Sequence, residues 1–462
     1  MGPPASALAR WGARGWGPRR AHLLAGVPGG GAPGEHTCSL GCQGVTGGNT
    51  MPTIHLDTAF DSLNPHPLRL PSMPSAAKPH RDPALDGLRG LAVLMVYIAH
   101  YGGGLKSHNL LGRLFGYITA AGWTGVILFF ALSGFLITGI LWDSIGQHNW
   151  LRNFYARRVL RIFPLYYAVL ALCAIVMVAT GRMFYQLRML YLYAFFLQDL
   201  PRLNAMAQLV PSLPLYHLWS LAVEEQFYLL WPFLLLIFGL RNGVKSPRRA
   251  LHLCLWTFVV SAVYRTAIFG LPHLFSGQTA FYNNTFLLTH AGPLALGAAI
   301  AIALRYPATS SLHTAIRRFA LPAFLLGLAA YLASSLFVRT LLLMPRSQFV
   351  FGLPAVSLAA AAAIPLVLRT GCPRRLCSSK ALRFLGKISY GFYVFHILFE
   401  PVFDAIGRHF AHTSSGSFYQ FVRLIAAFPI TVAISWLSFQ LLETPFLQLK
   451  RHFPMHSAIP TE

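Results

Sequence analysis

Arg89 and His100 stand eleven positions apart in the stretch LDGLRGLAVLMVYIAH, residues 85–100, with no other charged residue between them. Eleven positions are close to three helical turns. A helix would therefore carry both side chains on roughly one face, about 17 Å apart along its axis. If that helix crosses a membrane, the arginine sits at the mouth and the imidazole lies past the middle of the bilayer. An imidazole can take a proton from a hydroxyl or attack an acyl carbon. An ionisable group at that depth points to function, with a hydrogen bond between packed helices as the plainer alternative. A second constellation, NFYARRVLRIFPLYY, gathers Arg157, Arg158 and Arg161 at the entrance to another apolar run. Guanidinium groups bind phosphate in bidentate fashion, so a phosphate-rich cytoplasmic cofactor fits there. The competing role for these arginines is topological anchoring. A third, LYHLWSLAVEEQFYLLWPF, sets Glu224 and Glu225 side by side at the start of a run in a chain with only thirteen acidic residues. Capping of the helix N-terminus explains one carboxylate. A carboxylate that meets His100 explains the other.

The elements that must hold these residues follow from composition. The 462 residues are 55% hydrophobic and 11% charged, against about 25% charged in soluble domains. Apolar runs lie near 88–104, 120–142, 162–180, 218–240, 250–270, 284–304, 319–338, 349–369, 388–406 and 424–442. The expected fold is an all-α polytopic membrane protein of about ten transmembrane helices. Segment 187–200, at 14 residues, is short for a bilayer core of about 30 Å and is expected to lie in the interface or re-enter. The net charge of +24 falls in short loops between the runs, with no basic stripe carrying interleaved aromatics. It therefore orients a membrane protein, and no nucleic-acid partner is expected. Without a crossing at 187–200, most loop arginines and lysines share one side, which predicts that both ends are cytoplasmic. The organisation expected is a disordered Gly/Pro/Arg-rich tail over 1–83, a membrane domain over 84–450 and a short cytoplasmic tail over 451–462. Met51 and Met73 are alternative starts within that tail.

Several residues call for separate readings. Ser133 and Gly134 are small residues that let helices approach closely. Arg265 lies inside the fifth run, where a charge is costly, and is expected to pair with a carboxylate. His396 falls in the first half of the ninth run, nearer the cytoplasm than His100. Glu443 and Pro445 read as the end of a helix. The six cysteines, Cys38, Cys42, Cys173, Cys254, Cys372 and Cys377, form neither a CxxC nor a zinc spacing, so no disulfide framework and no metal are expected.

Six segments, LDGLRGLAVLMVYIAHY, FFALSGFLIT, ARRVLRIFPLYY, HLWSLAVEEQFYLLWPF, GKISYGFYVFH and LLETPF, follow one another in the order seen in the acyltransferase-3 family, which this chain resembles over residues 84 to about 450. Members are integral-membrane enzymes that move acyl groups, often acetyl, onto cell-surface sugars and related acceptors. The family's arginine–ten residues–histidine motif falls on Arg89 and His100, and its paired arginines on Arg158 and Arg161. Its SLxxEEQFY stretch falls on Ser220, Glu224, Glu225 and Tyr228, and its SYxxYxxH segment on Ser389, Tyr390, Tyr393 and His396. Its late ExP falls on Glu443 and Pro445. One place departs. Where the family commonly has an arginine and then an aspartate, the seventh-span counterpart reads LLTHAGPLALGA, with His290 and no aspartate. The soluble extracytoplasmic domain of larger members also has no expected counterpart, since the chain runs about twenty residues past its last apolar run.

The resemblance implies a membrane O-acyltransferase of the bacterial inner membrane, without a permanently bound cofactor. Its donor is acyl-CoA, acetyl-CoA first, and its acceptor is a hydroxyl on a carbohydrate or glycosylated molecule in a lipid setting. The coenzyme phosphates dock on Arg158 and Arg161, helped by Arg89. His100 then acts as base or nucleophile, with Glu224 or Glu225 orienting it. Ser133, Tyr228, Arg265 and His396 are secondary candidates. A transporter or flippase of a lipid-linked sugar is the alternative, in which the same residues would be relay or substrate ligands. The runs show no internal repeat in its favour.

Overall fold

Inside a bilayer a backbone must satisfy its own hydrogen bonds, so apolar runs of this length become helices. The structure, a computed structural model, describes residues 82–102, 110–181, 190–201, 215–241, 243–307, 309–338, 346–413 and 416–455. The first run forms α1 (Pro83–Gly102). The Asp82 carboxylate starts it by accepting the Ala84 amide at 2.8 Å, and its other oxygen accepts Arg374 Nη1 at 2.8 Å. Helices α2 (Leu110–Ala121), α3 (Thr124–Ser144) and α4 (Trp150–Ala179) follow. A 3-10 turn, Tyr216–Leu218, leads directly into α5 (Trp219–Phe238). A two-residue antiparallel ladder, Leu240 with Lys245 and Arg241 with Val244, turns the chain into α6 (Pro247–Gly270). Then come α7 (Gly277–Asn283), α8 (Leu287–Ala303) and α9 (Ser311–Val338), and a π-helical turn, Gln348–Gly352, that runs into α10 (Leu353–Leu368). The last elements are α11 (Cys372–Cys377), α12 (Lys380–Leu398), α13 (Glu400–Ala411), α14 (Ser417–Ser438), a second π-turn, Phe439–Glu443, and α15 (Thr444–Gln448).

Among the described residues, seven helical stretches are long and apolar enough to cross a membrane: Phe115–Ser144, Trp150–Ala179, Tyr216–Phe238, Pro247–Gly270, Ser311–Phe337, Gln348–Leu368 and Ser417–His452. The other three apolar runs fall on α1, on α8, which is 17 residues long, and on α12, whose first turns carry Lys380, Arg383 and Lys387. Among the described residues the protein is all-α but for the short ladder. Large apolar side chains such as Leu326, Leu336 and Phe337 on α9 stay exposed, as expected of a face turned to lipid. Of segment 187–200, the described part is helical only over 190–194 and turns back at Phe196, whose φ is 54°. Phe196 stacks on Tyr166 of α4 at 4.4 Å, and buried Asp199 accepts Gln226 Nε2 of α5 at 2.6 Å.

Two glycine-lined helix pairs set the frame. A Cβ on Gly90 of α1 would fall 2.0 Å from the Leu382 carbonyl oxygen of α12, and one on Gly386 would fall 1.7 Å from the Asp86 oxygen. Ten residues further along each helix, the rings of His100 and His396 lie 5.0 Å apart. Equal offsets between two contacts mean that α1 and α12 run parallel and in register. This corrects the expected depth of His396, which is level with His100 and not nearer the cytoplasm. The hydropathy run starts eight residues late, because the polar stretch KALRFLGK is helical but not apolar. The run then continues past Phe399, where α12 has already ended and α13 begins with Glu400 and Pro401. His396 is therefore near the far end of its helix.

The second pair joins α3 and α8. A Cβ on Gly134 would fall 1.9 Å from the Leu294 oxygen, and one on Gly297 would fall 1.9 Å from the Ala131 oxygen. Asp143 and Arg305 close the same pair with two bonds at 2.6 and 2.7 Å. Because the obstacle is backbone, Gly134→Ala must push the helices apart. It is expected to lower stability by about 3 kcal/mol, the upper end for overpacking. Thermal unfolding in detergent checks this, and an unchanged midpoint would contradict it.

Candidate active site

Arg89, Arg158, Arg161, Glu224, His100 and His396 fall on two connected levels of the helix bundle. On the first level a cavity of about 100 Å³ is lined by Arg89 of α1, Ser133 of α3, Arg158 and Arg161 of α4, Glu224 and Tyr228 of α5, and Ser389, Tyr390 and Tyr393 of α12. On α5, Glu224 and Tyr228 are one turn apart, and the Tyr228 hydroxyl lies 3.0 Å from Glu224 Oε2 and 3.1 Å from Ser133 Oγ. Ser133 Oγ–H donates to Glu224 Oε1 at 2.8 Å. Ser133 thus holds the glutamate in place, beyond the packing role expected for a small residue.

The arginines of α4 divide by their spacing. Arg157 donates to the carbonyls of Lys450 and Phe453 at 3.2 and 2.8 Å, tying α4 to the chain after α15. Arg158, one position on, turns into the cavity, its guanidinium 5.4 Å from the Tyr228 ring centre and 5.8 Å from that of Phe154. Its Nε is buried without a hydrogen-bond partner among the described residues. Arg161 follows one turn later and lies 3.8 Å from Glu443. Glu443 is 3% exposed and sits in the π-turn that carries the helix onward into α15, so it is a buried ionic partner and not the expected helix terminator.

The second level is a group of three histidines. His100 and His396 ring centres are 5.0 Å apart, and His396 and His217 are 5.3 Å apart. His217 and His396 are buried at 2% and 0% exposure, whereas His100 is exposed. The two levels meet at Tyr393. Its ring is 5.4 Å from His217, its hydroxyl donates to the His217 carbonyl at 2.8 Å, and it lies 2.6 Å from Ser220 Oγ. Ser220 and Tyr393 both line the cavity.

The expected contact between His100 and a glutamate is absent among the described residues. Glu224 lies seven positions beyond His217 on the same chain segment, about 10 Å along a helix. It therefore meets the arginines, and His217 meets the histidine level. Glu225 points about 100° away from Glu224. It does not line the cavity, and its Oε1 is buried without a partner. Arg265 stands apart. It donates to Ser261 Oγ at 2.6 Å and to the Thr289 carbonyl at 3.0 Å, and among the described residues it has no carboxylate partner. The Ser261 hydroxyl and the Thr289 carbonyl accept in place of an acid. His217 was missed in the sequence, although it stands two residues before the WSLAVEEQFY stretch and three before Ser220.

Comparison with known proteins places the chain among relatives. The family model described as an acyltransferase domain, that of acyltransferase-3, matches residues 82–439. A protein of Listeria monocytogenes named peptidoglycan O-acetyltransferase OatA is 28% identical over 390 residues, covering 79% of this chain and 55% of its own. A Staphylococcus aureus protein named O-acetyltransferase OatA is 26% identical over 402 residues, covering 82% of this chain and 59% of its own. The chain thus spans little more than half the length of these relatives. No solved structure matches it.

Proposed function

The chain belongs to the acyltransferase-3 family, and from that membership we propose that it is a membrane O-acyltransferase. The reaction moves an acyl group, acetyl in the first instance, from cytoplasmic acyl-CoA to a hydroxyl of a cell-surface carbohydrate. The names of its relatives make the glycan of the cell wall the first acceptor to try. The membrane is the bacterial inner membrane, and the face bearing Arg89, Arg158 and Arg161 is the cytoplasmic one.

One observation supports this above all: an arginine-lined cavity joined through Tyr393 to an exposed imidazole. Arg158 and Arg161, with Arg89, offer guanidinium groups to the coenzyme's phosphates. The acyl-pantetheine arm passes Ser220 and Tyr393 and brings the thioester to His100. There His100 takes the proton of the acceptor hydroxyl as its oxygen bonds to the acyl carbon. The carbon–sulfur bond breaks, and the sulfur leaves with the electron pair. Glu224, fixed by Ser133 and Tyr228, balances the arginine charge. It acts on the donor side and does not orient His100.

The test uses the purified protein in lipid nanodiscs with acetyl-labelled coenzyme A and soluble peptidoglycan fragments. Label is expected on the carbohydrate. Binding of the donor without transfer, together with movement of a lipid-linked sugar across proteoliposomes, would make the protein a flippase instead.

A further inference from the structure

A buried ion cluster stands beside the last turn of α1, the turn that carries His100. Arg423 of α14 is 7% exposed. Its Nη2 donates to Glu400 Oε1 at 3.0 Å and its Nη1 to Gln420 Oε1 at 3.0 Å, and its Nε lies 2.6 Å from Asp404 Oδ1. The Tyr419 hydroxyl donates to the same Asp404 oxygen at 3.1 Å. Glu400 and Asp404 both stand on α13, so a chain with thirteen acidic residues places two of them on one arginine. Gly407 of α13 leaves room for the contact, because a Cβ there would fall 2.8 Å from Arg423 Cγ. Desolvation offsets most of the attraction within a buried ion cluster, so stability alone does not account for this one.

The cluster reaches α1 through aromatic rings. The Arg423 guanidinium lies 5.3 Å from the ring centre of Tyr419 and 5.3 Å from that of Tyr101, the residue after His100. The Tyr101 hydroxyl donates to the His396 carbonyl. Tyr97, one turn earlier, donates to the carbonyl of Leu424, the residue after Arg423. Helix ends fray, and α1 ends at Gly102. These two tyrosines tie its last turn to α12 and α14.

We propose that Arg423 is a positioning residue for His100. Held by Glu400 and Asp404, it fixes the Tyr101 ring. The Tyr101 hydroxyl then stays on the His396 carbonyl, and the turn that carries His100 keeps its orientation toward the acyl group. This rests on the acyltransferase reading above. Arg423 acts through Tyr101 and takes no part in bond making.

The test combines two conservative variants and their double. Arg423→Lys keeps a positive charge between the carboxylates but cannot reproduce the planar fork against the ring. Tyr101→Phe keeps the ring and removes only the hydroxyl. All three are measured in the full chain in nanodiscs with labelled acetyl-CoA and soluble peptidoglycan fragments. Each single variant is expected to lower kcat about 10-fold with KM for acetyl-CoA unchanged, within the roughly 10²-fold that a misplacement of about 1 Å can cost. The double variant is also expected to lose about 10-fold, because both changes break one chain of contacts. Wild-type kcat in either single variant would overturn the proposal, and Tyr101→Phe decides alone if Arg423→Lys does not fold. Losses that multiply in the double variant would show that Arg423 does not act through Tyr101. A rise in KM in place of the fall in kcat would assign the cluster to general packing and likewise overturn it. A wild-type protein that binds acetyl-CoA but transfers nothing would instead remove the acyltransferase reading.

Discussion

His100→Ala is expected to lower acyl transfer by about 10²–10⁴-fold, the full contribution of a positioned general base, while acetyl-CoA binding and the unfolding midpoint stay close to wild type. The separation of effects follows from where the ring sits. His100 is the exposed member of its trio, and its side-chain hydrogen bond to Val96 is to its own helix one turn back. The donor cavity, with its arginines and Glu224, lies about three helical turns away along α1. A catalytic base so placed can be removed without disturbing either the α1–α12 glycine contact or the phosphate site. Label transfer measures the rate, and equilibrium binding of labelled acetyl-CoA measures the site. Full transfer by a well-expressed His100→Ala protein would end the assignment, and loss of donor binding would make His100 part of the cavity's structure. His100→Gln is not expected to recover the rate, since an amide cannot take up the hydroxyl proton.

The helices were legible because lipid leaves the backbone few choices, although the run 388–406 divides between α12 and α13. The spacing of Arg89 and His100 could be read directly, because both lie on one helix and helical geometry alone relates them. What could not be read was how helices far apart in sequence are levelled against one another. The depth of His396 depends on Gly90 meeting Leu382 and Gly386 meeting Asp86, contacts between segments almost 300 residues apart. Hydropathy therefore put that histidine at the wrong level. The same holds for Glu224, which the sequence set beside His100 and the fold sets beside Ser133, Tyr228 and the arginines. The adjacent carboxylates looked equivalent as letters. About 100° of rotation per residue separates them, and only Glu224 faces the cavity. His217 precedes the helix, in the turn Tyr216–Leu218, where helical spacing does not relate it to Glu224. Its significance comes from the Val394 carbonyl and the His396 ring, both on α12.

Arg158→Gln is expected to raise KM for acetyl-CoA by about 10–100-fold with a smaller change in kcat, as removal of a charge-assisted hydrogen bond worth about 1.5–3 kcal/mol predicts. Arg158 is suited to this because its guanidinium lines the donor cavity. Its Nε is buried without a partner, and its guanidinium rests against the rings of Phe154 and Tyr228, which orient the group without neutralising it. A planar cation held between aromatic faces and open at its edge is arranged for an external phosphate. Arg158→Lys is expected to recover the rate only in part, since an ammonium cannot reproduce the two-pronged contact. The neighbouring arginine supplies the control. Arg157 spends its donors on the carbonyls of Lys450 and Phe453, so Arg157→Gln is expected to lower the thermal midpoint and leave KM alone. Equal KM values for wild type and Arg158→Gln would remove Arg158 from the donor site. A rise in KM for Arg157→Gln matching that of Arg158→Gln would show that the whole basic face attracts the donor, with no particular residue binding it.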